Sequence, residues 1–384
     1  MNAPPPPVIV VAPDSFKGSA SAAEAAAAMA RGARAVAGPQ ARIIELPMAD
    51  GGEGTLDALL AVWGTGPLTV HTTDALRRQC TARYGISADG STGIIEAAEA
   101  NGLPQVSDVP LRPLDADSFG VGLVAAHLLD AGVEEILLCI GGSATTDGGT
   151  GLLAALGARF LDATGNNVRP GGGSLSSVAR IDASQLHPRA AAVSWRIAVD
   201  VDNPLCGPRG AAAVFGPQKG AGPDDVACLD AGLAHLARVL DADLIAAAPG
   251  CGAAGGMPLG LSALLGAEMV PGAELVSTAV GLAAAVEDAD VVLTGEGRLD
   301  SQSLGGKVVD AVRRTAGPGT RVVVIAGAVQ LDAAACRAAG LTAAFSIAPG
   351  PADLAGLQAD AERLIEDTAA QACAAVGLGT GRCG

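Results

Sequence analysis

Aromatic side chains make up only 2% of this chain, with two Trp, one Tyr and five Phe among 384 residues. Its cores must therefore be assembled from Ala, Val, Leu and Ile, and the 49% of apolar residues supplies them. Cysteine occurs eight times, but no two cysteines stand as C-x-x-C and the four histidines do not cluster. That spacing excludes the usual zinc sites and speaks against a disulfide framework. Cys139, inside an apolar run, reads as a small core residue. No apolar run reaches the ~18 residues of a membrane span. Residues 1–7 lack the cationic and apolar regions of a secretion signal, so a cytoplasmic protein is expected. Positive charge is scarce: 24 Lys and Arg face 40 Asp and Glu, for a formal net charge of −16. Such a surface repels phosphodiester backbones and anionic bilayers, so neither nucleic acid nor membrane is expected as a partner.

Familiar signatures are missing as well. Without G-x-x-x-x-G-K-[ST] the chain is no P-loop enzyme, and without H-R-D or D-F-G it is no protein kinase. Gly120-x-Gly122-x-x-Ala125 mimics a dinucleotide fingerprint but follows no convincing strand, so it reads as helix packing. Gly379-x-Gly381-x-x-Gly384 matches too, in a C-terminal tail.

What is present is an alternation of short buried strands and helices. Residues 8–12 form a continuous apolar run, as in a strand covered on both faces. Ser21-x-x-Glu24 resembles a capping box that opens an Ala-rich helix to about Val36. Residues 43–46 and 55–63 supply the next strand and helix, and this rhythm predicts a parallel sheet. Between 64 and 111 short strands follow one another without long helices. The βα rhythm returns over 118–151, with a helix over 118–131 that Gly132 ends and a buried strand over 136–140. A second excursion, rich in Gly and Pro, runs from 158 to 280. The last third alternates again, with strands at 291–294, 322–326 and 343–347. The expected architecture is α/β: a discontinuous parallel-sheet domain of residues 1–64, 112–157 and 281–384, with a mixed second domain, 65–111 and 158–280, inserted in two pieces.

Open parallel sheets bind ligands beyond the carboxyl ends of their strands. Four such ends share a composition: Asp14-Ser15-Phe16-Lys17-Gly18, Asp50-Gly51-Gly52-Glu53-Gly54, Gly141-Gly142-Ser143-Ala144-Thr145-Thr146-Asp147-Gly148-Gly149 and Gly295-Glu296-Gly297-Arg298-Leu299-Asp300. Glycines let backbone N–H groups close on an anion, with the hydroxyls of Ser143 and Thr145 adding donors. Carboxylates beside them suit Mg²⁺, which takes oxygen ligands and accompanies nucleotide phosphates. Lys17, beside Asp14 and just before a helix, suits a phosphate. The parts fit phosphoryl transfer, where catalysis is positioning and charge neutralisation. The inserted region adds Asp200, Asn203, Lys219 and a glycine loop with Gly255 and Gly256.

Taken in order, Ala12-Pro-Asp-Ser-Phe-Lys-Gly-Ser19, Ala49-Asp-Gly-Gly-Glu-Gly-Thr55, Gly141-Gly-Ser-Ala-Thr145, Asp202-Asn-Pro-Leu205, Phe215-Gly-Pro-Gln-Lys-Gly-Ala221, Gly252-Ala-Ala-Gly-Gly-Met257 and Thr294-Gly-Glu-Gly-Arg-Leu-Asp300 resemble the bacterial class II glycerate kinases, the glycerate 2-kinases. The resemblance covers nearly the whole chain. It implies a two-domain fold with a Rossmann-like half, ATP- and Mg²⁺-dependent phosphorylation of glycerate, and 2-phosphoglycerate as product. On that reading Lys17, Gly141, Gly142, Ser143 and Thr145, with Gly255 and Gly256, hold phosphates. Asp50, Glu53 and Glu296 hold Mg²⁺ or glycerate hydroxyls, and Asp147 or Asp200 is the base. Arg298, Lys219 or Lys307 meets the glycerate carboxylate, with Asp14 and Asn203 as further substrate contacts. The chain departs from the family at Val121 and Leu123, where a hydroxyl and a carboxylate are usual, and at Gly305-Gly306-Lys307, where His-Gly-Lys is usual. The alternatives are a kinase of a related hydroxy acid or one forming 3-phosphoglycerate. More remote are an NAD-dependent hydroxy-acid dehydrogenase and a sugar-acid binding protein without turnover.

Overall fold

The computed structural model describes residues 6–378; the Gly379–Gly384 pattern and Cys383 lie outside them. The chain divides into two compact units. The first comprises the chain up to Asp50, residues Asp57–Gly64, and the chain from Ala273 onward; the second comprises Gly51–Leu56 and Thr65–Gly272.

The first unit is built on five parallel strands in the spatial order Ala343–Ser346, Arg321–Val329, Val291–Leu299, Val8–Val11, Arg42–Glu45. Ile9, Val10 and Val11 are fully buried, as the unbroken apolar run predicts. The helix Ala22–Ala37 starts at the expected capping box: Ser21 N–H donates to Glu24 Oε2 at 2.8 Å, and Glu24 N–H donates to Ser21 Oγ at 3.2 Å. One expectation needs correcting here. Residues 295–299 are not loop but strand, because the neighbouring strand runs on to Val329 and keeps the ladder paired, Glu296 with Ala326 and Arg298 with Ala328.

The second unit holds a six-stranded mixed sheet, ordered Glu268–Val270, Ser194–Ala198, Glu135–Cys139, Thr92–Glu96, Gln79–Ile86, Leu68–Thr73. Its first four strands are parallel and the last two antiparallel. Residues 112–157 therefore do not belong with the chain ends, as the βα rhythm suggested. The strand Glu135–Cys139 pairs with Thr92–Glu96 and Ser194–Ala198, both inside the second unit. Periodicity reports that a strand is buried and parallel, but not which sheet it joins. For the same reason the four glycine and acid loops do not share one sheet edge. The Asp14 and Glu296 segments belong to the first sheet and the 141–149 loop to the second.

The core of this unit is mainly aliphatic, and Trp195, 2% exposed, ties its indole N–H to Ala190 O at 2.7 Å. Gly120 and Gly122 lie in the helix Phe119–Ala131, where a Cβ would meet Thr73 O at 1.8 Å and Leu152 O at 2.3 Å. These glycines allow close packing, and the dinucleotide pattern loses its basis. Among the described residues the seven cysteines are free, and no helix is long and apolar enough to cross a membrane.

Candidate active site

In the second unit the strand Glu135–Cys139 delivers the chain into the 141–149 loop, and the helix Thr150–Ala155 receives it. A polypeptide turning here leaves N–H groups that need acceptors. Asp147, fully buried, supplies them: it accepts from Ser118 N–H at 2.9 Å, Ser118 O–H at 2.8 Å, Gly149 N–H at 3.1 Å and Gly151 N–H at 3.0 Å. A carboxylate so occupied is a fastener of the loop. Ser118 N–H, Ser118 O–H and Gly151 N–H all fall on Oδ2, and Gly149 N–H alone on Oδ1.

The chain contains only three lysines, Lys17, Lys219 and Lys307. Lys219 ends the turn Pro217–Lys219 and is 3% exposed. Its ammonium donates to Ser143 Oγ at 3.2 Å and to Thr145 O at 2.5 Å, leaving capacity for one more acceptor. Burial pushes this ammonium down to about 8, against the opposing pull of the Asp147 charge. Lys219 thus belongs to the hydroxyl and glycine loop. Arg298 and Lys307, the other two candidates for the substrate carboxylate, belong to the first unit. Asn101, fully buried, donates through Nδ2 to Thr145 Oγ1 at 3.2 Å and accepts nothing on its Oδ1.

Ser143 and Lys219 line a cavity of about 200 Å³. Gly141, Gly142, Asp200, Val201 and Gly51 line it as well. Gly51 sits at φ +90°, where a Cβ would meet Ala198 Cβ at 2.7 Å, so only glycine fits. Asp200 is exposed and accepts from Gly272 N–H at 3.1 Å. Gly255, at φ +70°, is buried against the loop: a Cβ there would meet Thr145 O at 2.1 Å, and its carbonyl accepts from Gly148 N–H at 3.0 Å. With Gly256 also buried, this second glycine turn shapes the loop from behind. Asn203 is occupied locally, its Nδ2 donating to Arg209 O at 2.7 Å.

The first unit gathers carboxylates. Asp14, Asp50 and Glu296 feel one another's charge. Asp14 is pushed up to about 7, first by burial and then by the Asp50 charge, with Ser15 N–H opposing. Glu296 is raised, mainly by burial, and its Oε1 is buried without a hydrogen-bond partner. The Lys307 ammonium stands 3.6 Å from Asp50 Oδ2. Lys17 and Arg298 are exposed. Glu53 is exposed and belongs to the second unit. Among the described residues no three Asp, Glu, His or Cys close a ready-made metal cage.

Three participants escaped the sequence reading. Asn101 and Ser118 stand in no glycine-rich loop. Glu96, 5% exposed, accepts from Gly54 N–H at 3.3 Å and Leu56 N–H at 3.2 Å, a long-range cap at the start of the helix Thr55–Trp63.

Comparison with known proteins gives a consistent picture. The model of the glycerate kinase family matches residues 9–377. A glycerate kinase of Halalkalibacterium halodurans is 42% identical over 365 residues, covering 94% of this chain and 96% of the relative. A glycerate 2-kinase of Escherichia coli is 43% identical over 343 residues, covering 88% and 90%. A solved crystal structure from Salmonella typhimurium LT2, assigned as a glycerate kinase 2, superposes with a TM-score of 0.87 at 42% identity, covering 96% of this chain and 98% of that one.

Proposed function

The chain belongs to the glycerate kinase family, and from that premise we propose that it transfers the γ-phosphoryl group of ATP to the 2-hydroxyl of D-glycerate, giving 2-phosphoglycerate. The observation that carries the reading is Lys219. A buried ammonium facing Ser143 and the 141–145 backbone makes a fixed positive site in an acidic chain. Fixed charge aimed at a phosphoryl group is the largest lever such an enzyme has.

In this account the N–H groups of Gly141 and Gly142 and the Ser143 hydroxyl bind phosphate oxygens, and Lys219 neutralises charge on them. Asp147 keeps the loop in shape. Asp200, on the cavity wall, takes the hydroxyl proton. Lys17 adds a second cation for phosphate, and Arg298 or Lys307 meets the substrate carboxylate, with Asp14 and Asn203 as further contacts. Asp50 and Glu296 suit Mg²⁺: they are oxygen donors, they carry charge that Lys307 only partly offsets, and the Glu296 Oε1 lacks a partner. When bound, the metal would neutralise phosphate charge, with phosphate oxygens and water completing its shell. ATP dependence goes with a cytoplasmic location. Two small molecules are the partners in this reading; nucleic acid and membranes are not.

The test is release of ADP from ATP, coupled to an indicator reaction. Turnover should require glycerate and vanish in excess chelator. Undiminished turnover in chelator would remove the metal from the account, and turnover indifferent to glycerate would remove the substrate.

A further inference from the structure

A second and larger cavity, of about 440 Å³, opens elsewhere in the second unit, and nothing in the phosphoryl-transfer account uses it. Its volume falls in the range of ordinary small-molecule sites. Three charged residues line it, Arg77, Arg159 and Arg169, and no carboxylate does. In a chain with 24 basic residues against 40 acidic ones, three arginines lining one cavity run against the mean field. Phe119, Phe160 and Leu175 supply apolar surface beside them.

Arg77 is the most constrained of the three. Its φ is +63°, a left-handed conformation that a side chain with a Cβ rarely adopts. Such outliers persist where the surroundings over-determine them, and they gather at ligand sites. Here the guanidinium donates to Asp117 Oδ2 at 2.8 Å and lies 3.9 Å over the Phe119 ring, so the planar cation is oriented before any ligand arrives. Arg159 and Arg169 are held less tightly. Arg159 stands 3.9 Å from Asp182 and donates to Asn167 Oδ1 at 3.4 Å, while Arg169 pairs with Asp115 at 2.8 Å and is largely exposed. Exposed pairs of this kind contribute little and exchange readily, so their guanidiniums can turn to an anion that offers bidentate bonds.

We propose that this cavity is a second small-molecule site, for an organic anion whose carboxylate or phosphate meets Arg77, Arg159 and Arg169 and whose apolar body lies against Phe119 and Phe160. The site is independent of the 141–145 loop and of Lys219.

Calorimetric titration of the full-length protein with phenyl phosphate, benzoate and benzylamine tests this. One or both anions should bind saturably at one site, and the comparison between them tells which head group is preferred. Benzylamine should not bind. Arg77→Gly removes the cation while placing at that φ the residue best suited to it, so the fold should survive, as a thermal melt will check. Affinity should fall at least tenfold in this variant, and at least tenfold in Arg159→Gln/Arg169→Gln. Lys219→Met should bind the anions as the parent does. The proposal is overturned if neither anion binds, if benzylamine binds equally, if both arginine variants keep the parent's affinity, or if Lys219→Met abolishes binding.

Discussion

Lys219 is the residue on which most depends. Replacing it with Met keeps the length of the side chain and removes the charge. Loss of one such electrostatic clamp typically costs about 10²–10³ in rate, so Lys219→Met should lose that much in kcat/KM. It should melt no lower than the parent, since the buried ammonium it removes is costly to desolvate. The pH dependence has a definite sign. An ordinary lysine holds its proton to about 10.5, and in the folded protein this one releases it near about 8. Activity that needs the cation should decline above about pH 8. Stability should move the other way: between about 8 and 10.5 the unfolded chain binds the extra proton, so the parent gains stability as pH rises through that window. Lys219→Met should lack this gain in denaturant titrations. Asp14 gives the opposite case. Its carboxyl, pushed up to about 7 from an ordinary value of 3.8, favours the folded state while protonated. That contribution is complete below about pH 4 and is lost as pH rises through about 7. Asp14→Asn should match the parent at pH 4 and exceed it in stability at pH 8. Equal stability at both pH values would mean that the Asp14 carboxyl is not buried as described.

At the scale of elements, the 141–149 loop is held by one carboxylate rather than by its glycines alone. Asp147→Ala would leave the N–H groups of Ser118, Gly149 and Gly151 buried without their acceptor, at about 1–3 kcal/mol for each group left unsatisfied. A large drop in melting temperature together with weakened ATP binding is expected. Ser118→Ala, which removes one hydroxyl from the same cluster, should reproduce both effects more weakly, without altering the pH profile of kcat. A changed pH profile in Ser118→Ala would instead return Asp147 to the list of proton acceptors. Much of this level could be read from the chain itself. The capping box at Ser21, the apolar run of Val8–Val11 and the packing glycines of the helix Phe119–Ala131 all follow from local spacing. So does the position of the glycine loop after its strand. What local spacing cannot carry is partnership across the chain. Asn101 meets Thr145 across 44 residues, Lys219 meets Ser143 across 76, and Glu96 caps a helix that begins about 40 residues earlier. The strand Val291–Leu299 likewise extends past its apolar stretch because its neighbour does, and no residue within it announces that.

At the scale of the whole molecule, the same gap explains the misassigned segment. Residues 112–157 have the rhythm of a parallel sheet and do lie in one, but in the sheet of the second unit. Composition was informative at this scale for a different reason. A net charge of −16 makes any gathering of cations an exception, and the buried Lys219 and the three arginines that line the second cavity are both such exceptions. The central claim concerns the reaction itself, and phosphorus NMR of the product addresses it most directly. With D-glycerate, ATP and Mg²⁺ supplied to the purified protein, the account predicts a 2-phosphoglycerate resonance that grows in step with ADP and is almost absent with Lys219→Met. A 3-phosphoglycerate resonance, or ADP formed with inorganic phosphate alone, would contradict it.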